Sequence, residues 1–164
     1  MENADLRLLR AMRTRGHTPQ AERAAKALGK AGNNGAIWFA LGVVLAILDP
    51  AQREAWLICA FVGPLAIGVN YVAKALAKRP RPVLEGLPPL GGAPSSLSFP
   101  SAHATSSFAA ATAMTRVDTL GALAFVLALA LSLGRPYLGM HYPSDVLAGA
   151  AFGVVLGLIV PLSI

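Results

Sequence analysis

Long apolar runs alternate along this chain with short breaks rich in proline, glycine and charge. The runs are Gly35–Leu48, Ala55–Ala77, Ala102–Met114, Thr119–Leu133 and Val146–Ile164. They are almost free of charge, as helices buried in lipid are, though the second holds Asn70 and Lys74 in its last turns and the third is more polar. Asp49-Pro50 ends the first run, and Arg79–Pro100, with Pro88-Pro89 and Gly91-Gly92, separates the second from the third. A linker of that length between packed helices is often functional. The third and fourth runs are short for a bilayer that needs roughly 20 residues. Their helices are therefore expected to extend further or to bury irregular backbone. Residues 1–31 follow another pattern: Leu6, Leu9 and Met12 recur at helical spacing while Arg7, Arg10 and Arg13 take other faces. That predicts a basic amphipathic helix on an anionic membrane surface, with a solvated basic tail as the alternative. Thr18-Pro19 then opens a second helix to about Lys30, as an N-cap and a first-turn proline. Trp38 and Trp56 stand near run ends, where interfacial aromatics belong. The expected fold is all-α: a polytopic membrane bundle of about five transmembrane helices in residues 32–164, preceded by the basic segment 1–31.

Composition supports the membrane reading. Hydrophobic residues make up 55% and charged residues 13%, against about 25% charged in ordinary soluble domains. The net charge of +6 comes from Lys and Arg at the ends of apolar runs. With five spans and the N-terminus inside, nine basic residues outside the candidate chemistry flank inner ends, and only Arg53 and Arg116 flank outer ones. This bias predicts a multi-pass protein of the inner (plasma) membrane with its N-terminus in the cytosol. Membrane lipids are the expected surroundings. Nucleic acid is not an expected partner, because no basic groove is interleaved with aromatics. A homo-oligomer is neither required nor excluded. Cys59 stands alone, so no intrachain disulfide can form, and no CxxC or HExxH pattern points to a metal.

Three polar clusters interrupt the apolar pattern, and the alternation of spans puts all three on one membrane face. The first is Lys74 with Arg81-Pro82, the second Pro100-Ser101-Ala102-His103, the third Arg135, His141 and Asp145. Pro143 suits the first turn of a helix. Asp145 then falls in that turn, where it favours the helix dipole and can reach back to His141. A carboxylate on one ring nitrogen leaves the other free for attack. Taken alone, this stretch also fits an interfacial loop with a pH-sensitive histidine and a capping aspartate. Together the clusters supply a cationic cradle from Lys74, Arg81 and Arg135, backbone donors at the helix start Ser101–His103, and two histidines. That set suits phosphoryl transfer, in which fixed cations stabilise charge spread over the equatorial oxygens.

The three clusters, K-x6-RP, PSxH and R-x5-H-x3-D in that order, resemble the motifs of the type 2 phosphatidic acid phosphatase superfamily. The resemblance runs from Lys74 to Asp145 and implies a metal-independent lipid phosphate phosphatase without a cofactor. It assigns His141 as a nucleophile forming a phosphohistidine, Asp145 as the group orienting it, and His103 as general acid. It assigns Lys74, Arg81, Ser101, Ala102 and Arg135 to phosphate binding. Ala102 replaces the usual glycine of the second motif, and Gly134 the usual serine of the third. The small size, basic N-terminus and Ala/Gly-rich spans are similar to actinobacterial phosphatases of polyprenyl-linked sugar phosphates. The first expected substrate is therefore decaprenylphosphoryl-5-phosphoribose, giving decaprenylphosphoryl ribose for cell-wall arabinan. Polyprenyl diphosphate, phosphatidylglycerophosphate and phosphatidate are the alternatives. The alternatives of another class are a non-catalytic lipid- or anion-binding membrane protein and a vanadate-dependent haloperoxidase, a family that shares the anion pocket but is soluble and larger.

Overall fold

A computed structural model describes residues 4–92 and 96–162. Its regular structure is all helical, with no strand among the described residues. The helices are α1 (Ala4–Thr14), α2 (Pro19–Ala31), α3 (Ala36–Leu48), α4 (Arg53–Ala77), α5 (Ala102–Val117), α6 (Ala124–Tyr137) and α7 (Pro143–Ile159). Thr18 caps α2, its side chain accepting from the Ala21 amide at 3.1 Å. Single 3-10 turns at Asn33–Gly35, Pro50–Gln52 and Thr119–Leu123 join successive helices. The third and fourth runs do extend as helix, to Val117 and Tyr137. The fifth begins earlier than its apolar pattern, at Pro143, and its last residues 163–164 lie outside the described ones.

α5 is the central helix, and that position explains why its run is the most polar. Ala104, Thr105, Ser106, Ser107 and Ala109 to Met114 are all buried, with α4, α6 and α7 packed around them. Lipid does not reach them, so small and hydroxyl side chains cost nothing against hydrocarbon and let neighbours approach. Gly149, Gly153 and Gly157 form a stripe along α7 that lies directly on the α5 backbone. A Cβ at Gly153 would stand 2.4 Å from the Thr105 carbonyl oxygen. This close seam places the first turn of α7 beside the first turn of α5, where the Ser101 amide donates to the Asp145 carbonyl at 3.0 Å.

Large apolar side chains such as Ile47, Leu65, Leu76, Val126, Leu147 and Ile159 point outward. On a soluble protein a belt of this kind would be a liability; in a bilayer it is the lipid-facing surface. Two helical stretches, Pro50–Ala77 and Thr119–Tyr137, are long and apolar enough to cross a membrane. A pair bent by 56°, Pro19–Ala31 with Asn33–Leu48, counts as a third if it is one span.

Two expectations from the sequence are corrected. Trp38 is 0% exposed and Trp56 4%, so neither is an interfacial anchor. Trp38 Nε1 donates to Ser107 Oγ at 3.1 Å in the bundle core, and Trp56 Nε1 to Asp49 Oδ2 at 3.0 Å. A buried indole is tolerated because its N–H finds an acceptor. The second concerns α1, which does not keep all its arginines on an outer face. Leu9 and Arg13 are buried, and Arg13 Nη2 donates to the Pro88 carbonyl at 2.9 Å. The helix is amphipathic as expected, but its inner face is covered by α6, α7 and the linker.

Candidate active site

α3 starts against the middle of α4, where a Cβ at Gly35 would meet Pro64, while α5 and α7 begin, and α4 and α6 finish, at the same end of the bundle. A cavity of about 170 Å³ opens there, lined by Lys74, Arg81, Ala102, His103, Arg135 and His141 together with Gly32, Asn33, Asn34, Ile67, Tyr71 and Ser96. Six of the eight residues singled out for chemistry thus share one wall. Asp145 and Ser101 lie fully buried behind it.

The third cluster is built by a helix end, a tight turn and a helix start. Pro136, in the last turn of α6, has no N–H to give the Ser132 carbonyl, and the helix ends one residue later at Tyr137. Gly139 then takes φ +76, the left-handed conformation the turn requires. Pro143 opens α7, and Asp145 sits three residues into it as expected from the sequence. Asp145 is 0% exposed, and a buried carboxylate must be paired. Its Oδ2 accepts from the Tyr142 amide at 2.9 Å and from the Ser98 hydroxyl. Its Oδ1 accepts from Arg79 Nη1 at 2.8 Å. His141 Nδ1 stands 3.4 Å from Asp145 Oδ2, close for an ion pair but long for a hydrogen bond, and has no other partner among the described residues.

The other ring nitrogen of His141 identifies its tautomer. Arg81 Nη1 lies 3.2 Å from His141 Nε2, and a guanidinium can only donate. Nε2 therefore carries the lone pair, and Nδ1 carries the proton toward Asp145. Burial, first of all, pushes His141 down to about 4; the Asp145 carboxylate pulls the other way, while Arg81, Arg135 and Lys74 reinforce the fall. The imidazole is therefore neutral at pH 7 and keeps a lone pair on Nε2.

The cations are held by backbone. Lys74 Nζ donates to the carbonyls of Leu97 at 2.6 Å and Ser98 at 3.3 Å, across the linker from α4. Arg81 donates to the carbonyls of Ser96 at 2.8 Å and Met140 at 2.6 Å. Arg135 is buried with Nε lacking a protein partner, as does Ser101 Oγ at the start of α5. Unsatisfied buried donors beside a cavity fit an anionic ligand. His103 Nε2 donates to the Gly29 carbonyl of α2 at 2.9 Å. Among the described residues no cluster of His, Cys, Asp or Glu has the arrangement of a metal site.

The departures at Ala102 and Gly134 now have positions. Ala102 lines the cavity. Gly134 does not line it; a Cβ there would meet only Ala25 of α2, at 3.9 Å.

Sequence reasoning missed Arg79, counted there only as a basic flank, and Asp5, which binds it. The tandem Arg79-Pro80-Arg81-Pro82 was the available signal, but the K-x6-RP spacing selects the second arginine only. Nothing in the sequence marks Ser98 or Gly29.

The sequence profile of the PAP2 superfamily matches residues 54–164. The chain is 40% identical to the decaprenylphosphoryl-5-phosphoribose phosphatase of Mycobacterium tuberculosis over 136 residues, 83% of this chain and 76% of that protein. The crystal structure of Aquifex aeolicus LpxE superposes with a TM-score of 0.76 at 23% identity, over 96% of this chain and 94% of that one. The transmembrane PAP2-type phosphatidylglycerolphosphate phosphatase of Bacillus subtilis gives a TM-score of 0.74 at 23% identity, over 96% and 82%.

Proposed function

The chain belongs to the PAP2 superfamily and is a lipid phosphatase, and from that premise we propose that it removes the 5-phosphate of decaprenylphosphoryl-5-phosphoribose. One observation carries the mechanism: Lys74, Arg81, Arg135, His103 and His141 converge on a single cavity at one end of the bundle. The phosphoryl oxygens take the donors of Lys74, Arg81 and Arg135 and the Ser101 hydroxyl. Arg81 leaves His141 Nε2 for the phosphate, which frees the lone pair. Nε2 then attacks phosphorus, and the bond from phosphorus to the ribose 5-oxygen breaks. The leaving oxygen takes a proton from His103. Nε2 of that ring is committed to Gly29, and a Cβ at Gly32 would lie 3.0 Å from its Cδ2. His103 must therefore enter the step as the imidazolium, with Nε2–H held by Gly29 and the transferred proton on Nδ1, a form that the dianionic phosphate beside it favours. Water next attacks the phosphohistidine, gives its proton back to His103, and releases inorganic phosphate. Asp145 keeps the His141 ring oriented and compensates the charge formed on it.

The 40% identity to a relative of that name supports the substrate. The uncharged part of the cavity wall, Asn33, Asn34 and Tyr71, suits a sugar between phosphate and lipid. In this reading α3 to α7 are five spans of the plasma membrane, with residues 1–31 and the cavity on the cytosolic side. The outward apolar side chains on α3, α4, α6 and α7 support this arrangement, as does the excess of basic residues at the cavity end. The test is phosphate release by purified protein, in EDTA, from a panel of lipid phosphates. Decaprenylphosphoryl-5-phosphoribose should be turned over fastest, with phosphorus-32 label trapped on His141. Preference for phosphatidate, phosphatidylglycerophosphate or a polyprenyl diphosphate would reassign the substrate; binding with no release would make the protein a binder.

A further inference from the structure

The basic N-terminal helix reaches into the catalytic cluster through its one acidic side chain in the first turn. Asp5 Oδ2 accepts from Arg79 Nη2 at 2.8 Å and from the Ser144 hydroxyl. Its Oδ1 accepts from the Ser144 amide at 3.1 Å. Arg79 Nη1 donates in turn to Ser144 Oγ at 2.7 Å and to Asp145 Oδ1 at 2.8 Å. The guanidinium is further held over the Tyr142 ring, 3.9 Å from its centroid. A continuous chain therefore runs from Asp5 through Arg79 and Asp145 to His141, across residues far apart in sequence.

Building on the phosphatase reading, we infer that Asp5 is a positioning residue for catalysis, acting through Arg79 on the Asp145–His141 pair. The physical need is plain. The Asp145 carboxylate is wholly buried, and Arg79 is the cation bonded to its Oδ1. Arginine carries large rotamer freedom, and its side chain here is 29% exposed, so water competes for it. Asp5 removes that freedom: it takes one arm of the planar fork while Asp145 takes the other. With the fork fixed, Asp145 can turn its second oxygen toward His141 rather than toward the cation. Burial alone would lift Asp5 above the usual carboxylate range, but its bonds to Ser144 and Arg79 hold it below. It is therefore ionised at neutral pH, as the role demands. The rest of α1 supports the placement: Leu9 is fully buried, and Arg13 anchors the far end of the helix to the linker. Asp5 touches neither the cavity nor the reacting atoms, so its effect is on the rate of the chemical step rather than on substrate binding.

The experiment is a double-mutant cycle on the full chain, read as kcat and KM on an activated aryl phosphate and on the lipid substrate, with melting temperature as a check on folding. Outer partners that orient metal-bound groups typically contribute 10–100-fold. Asp5→Asn should lower kcat by about tenfold while KM changes by less than about twofold, and Asp5→Glu should recover part of the loss. In an Arg79→Gln background, Asp5→Asn should cost almost nothing further, because its route of action is already cut. Wild-type kcat in Asp5→Asn would overturn the inference. So would losses that multiply in the double variant, or a loss that tracks melting temperature in every variant. If Arg79→Gln fails to fold, the same cycle run with Arg79→Lys decides by the same criterion. No turnover by the wild type on any phosphate ester would defeat the phosphatase reading and this inference with it, whereas wild-type turnover unchanged by Asp5→Asn defeats this inference alone.

Discussion

At the scale of single residues, the two histidines differ in what surrounds them, and the difference separates their roles. His141 has its Nε2 lone pair turned to Arg81 and its Nδ1 turned to Asp145. His103 has one nitrogen committed to the Gly29 carbonyl and no carboxylate bonded to it among the described residues. Only the first has the acid–base geometry of an oriented nucleophile. His141→Ala should accordingly abolish turnover and the trapped phosphohistidine for every substrate. His103→Ala should slow release of a sugar alcohol by roughly 10²–10⁴-fold, the usual range for general-acid help, while barely affecting release of nitrophenolate, which needs little. Steady-state rates on the two substrates check this, and equal losses would remove His103 from the role.

At the scale of elements, the site depends on how closely α7 approaches α5. The glycine stripe places backbone on backbone, and the Ser101 amide bonds the Asp145 carbonyl at the end of that seam. Gly153→Ala would push a methyl against the Thr105 carbonyl, where a Cβ would be only 2.4 Å away. Overpacking of this kind costs about 1–3 kcal/mol, so the melting temperature in detergent should fall and activity with it. Gly68→Ala is the control: it lies in α4 with nothing within 4 Å of its Cβ position. That change should leave both unchanged or slightly raise stability, since alanine favours helix. The join between α1 and α2 is a further docking point. His17 stacks on Tyr137 of α6 at 3.9 Å, and the Tyr137 hydroxyl donates to the Gly16 carbonyl at 3.3 Å.

At the scale of the whole molecule, the direction of the bundle in the membrane decides which substrates the cavity can meet. Arg79 belongs with the chemistry rather than with the topological flanks, which leaves eight basic residues at the cavity end against Arg53 and Arg116 at the other. The bias remains strong. Arg116 also has a local task, donating to the carbonyls of Gly157 at 3.0 Å and Val160 at 2.7 Å as α7 ends. A cytosolic cavity can use a lipid phosphate assembled from cytosolic sugar phosphates. Cysteine introduced at Ala51, in the turn between α3 and α4, should be labelled on intact cells by an impermeant maleimide. Cysteine at Glu85, in the linker between α4 and α5, should be spared. Native Cys59 is fully buried and can stay. The reverse pattern would put the cavity outside and favour a polyprenyl diphosphate.

The apolar runs determined where α3 to α7 lie, because long uncharged runs have one stable backbone solution away from water, but they missed several limits: α5 and α6 run on to Val117 and Tyr137, and α7 starts at Pro143. Pro143 and the spacing to Asp145 were enough to place the aspartate in the first turn of α7, since capping and helix rise are local rules. The motif order also located His141, His103, Lys74, Arg81 and Arg135 at one end of the bundle, because alternate spans reverse direction. Local rules could not say which apolar or charged side chains turn inward. Trp38 and Trp56 read as interfacial from their position near run ends, yet each is buried where an acceptor happens to face its N–H. Arg13 read as a surface charge, and a carbonyl of the linker receives it. Arg79 read as a flank one proline away from the motif arginine; only the packing of α1 over the start of α7 sets Asp5 and Asp145 on either side of it. Partners that lie 66 and 74 positions apart along the chain leave no periodic trace in it, so only the tertiary structure shows that the N-terminal helix bonds the arginine that holds Asp145.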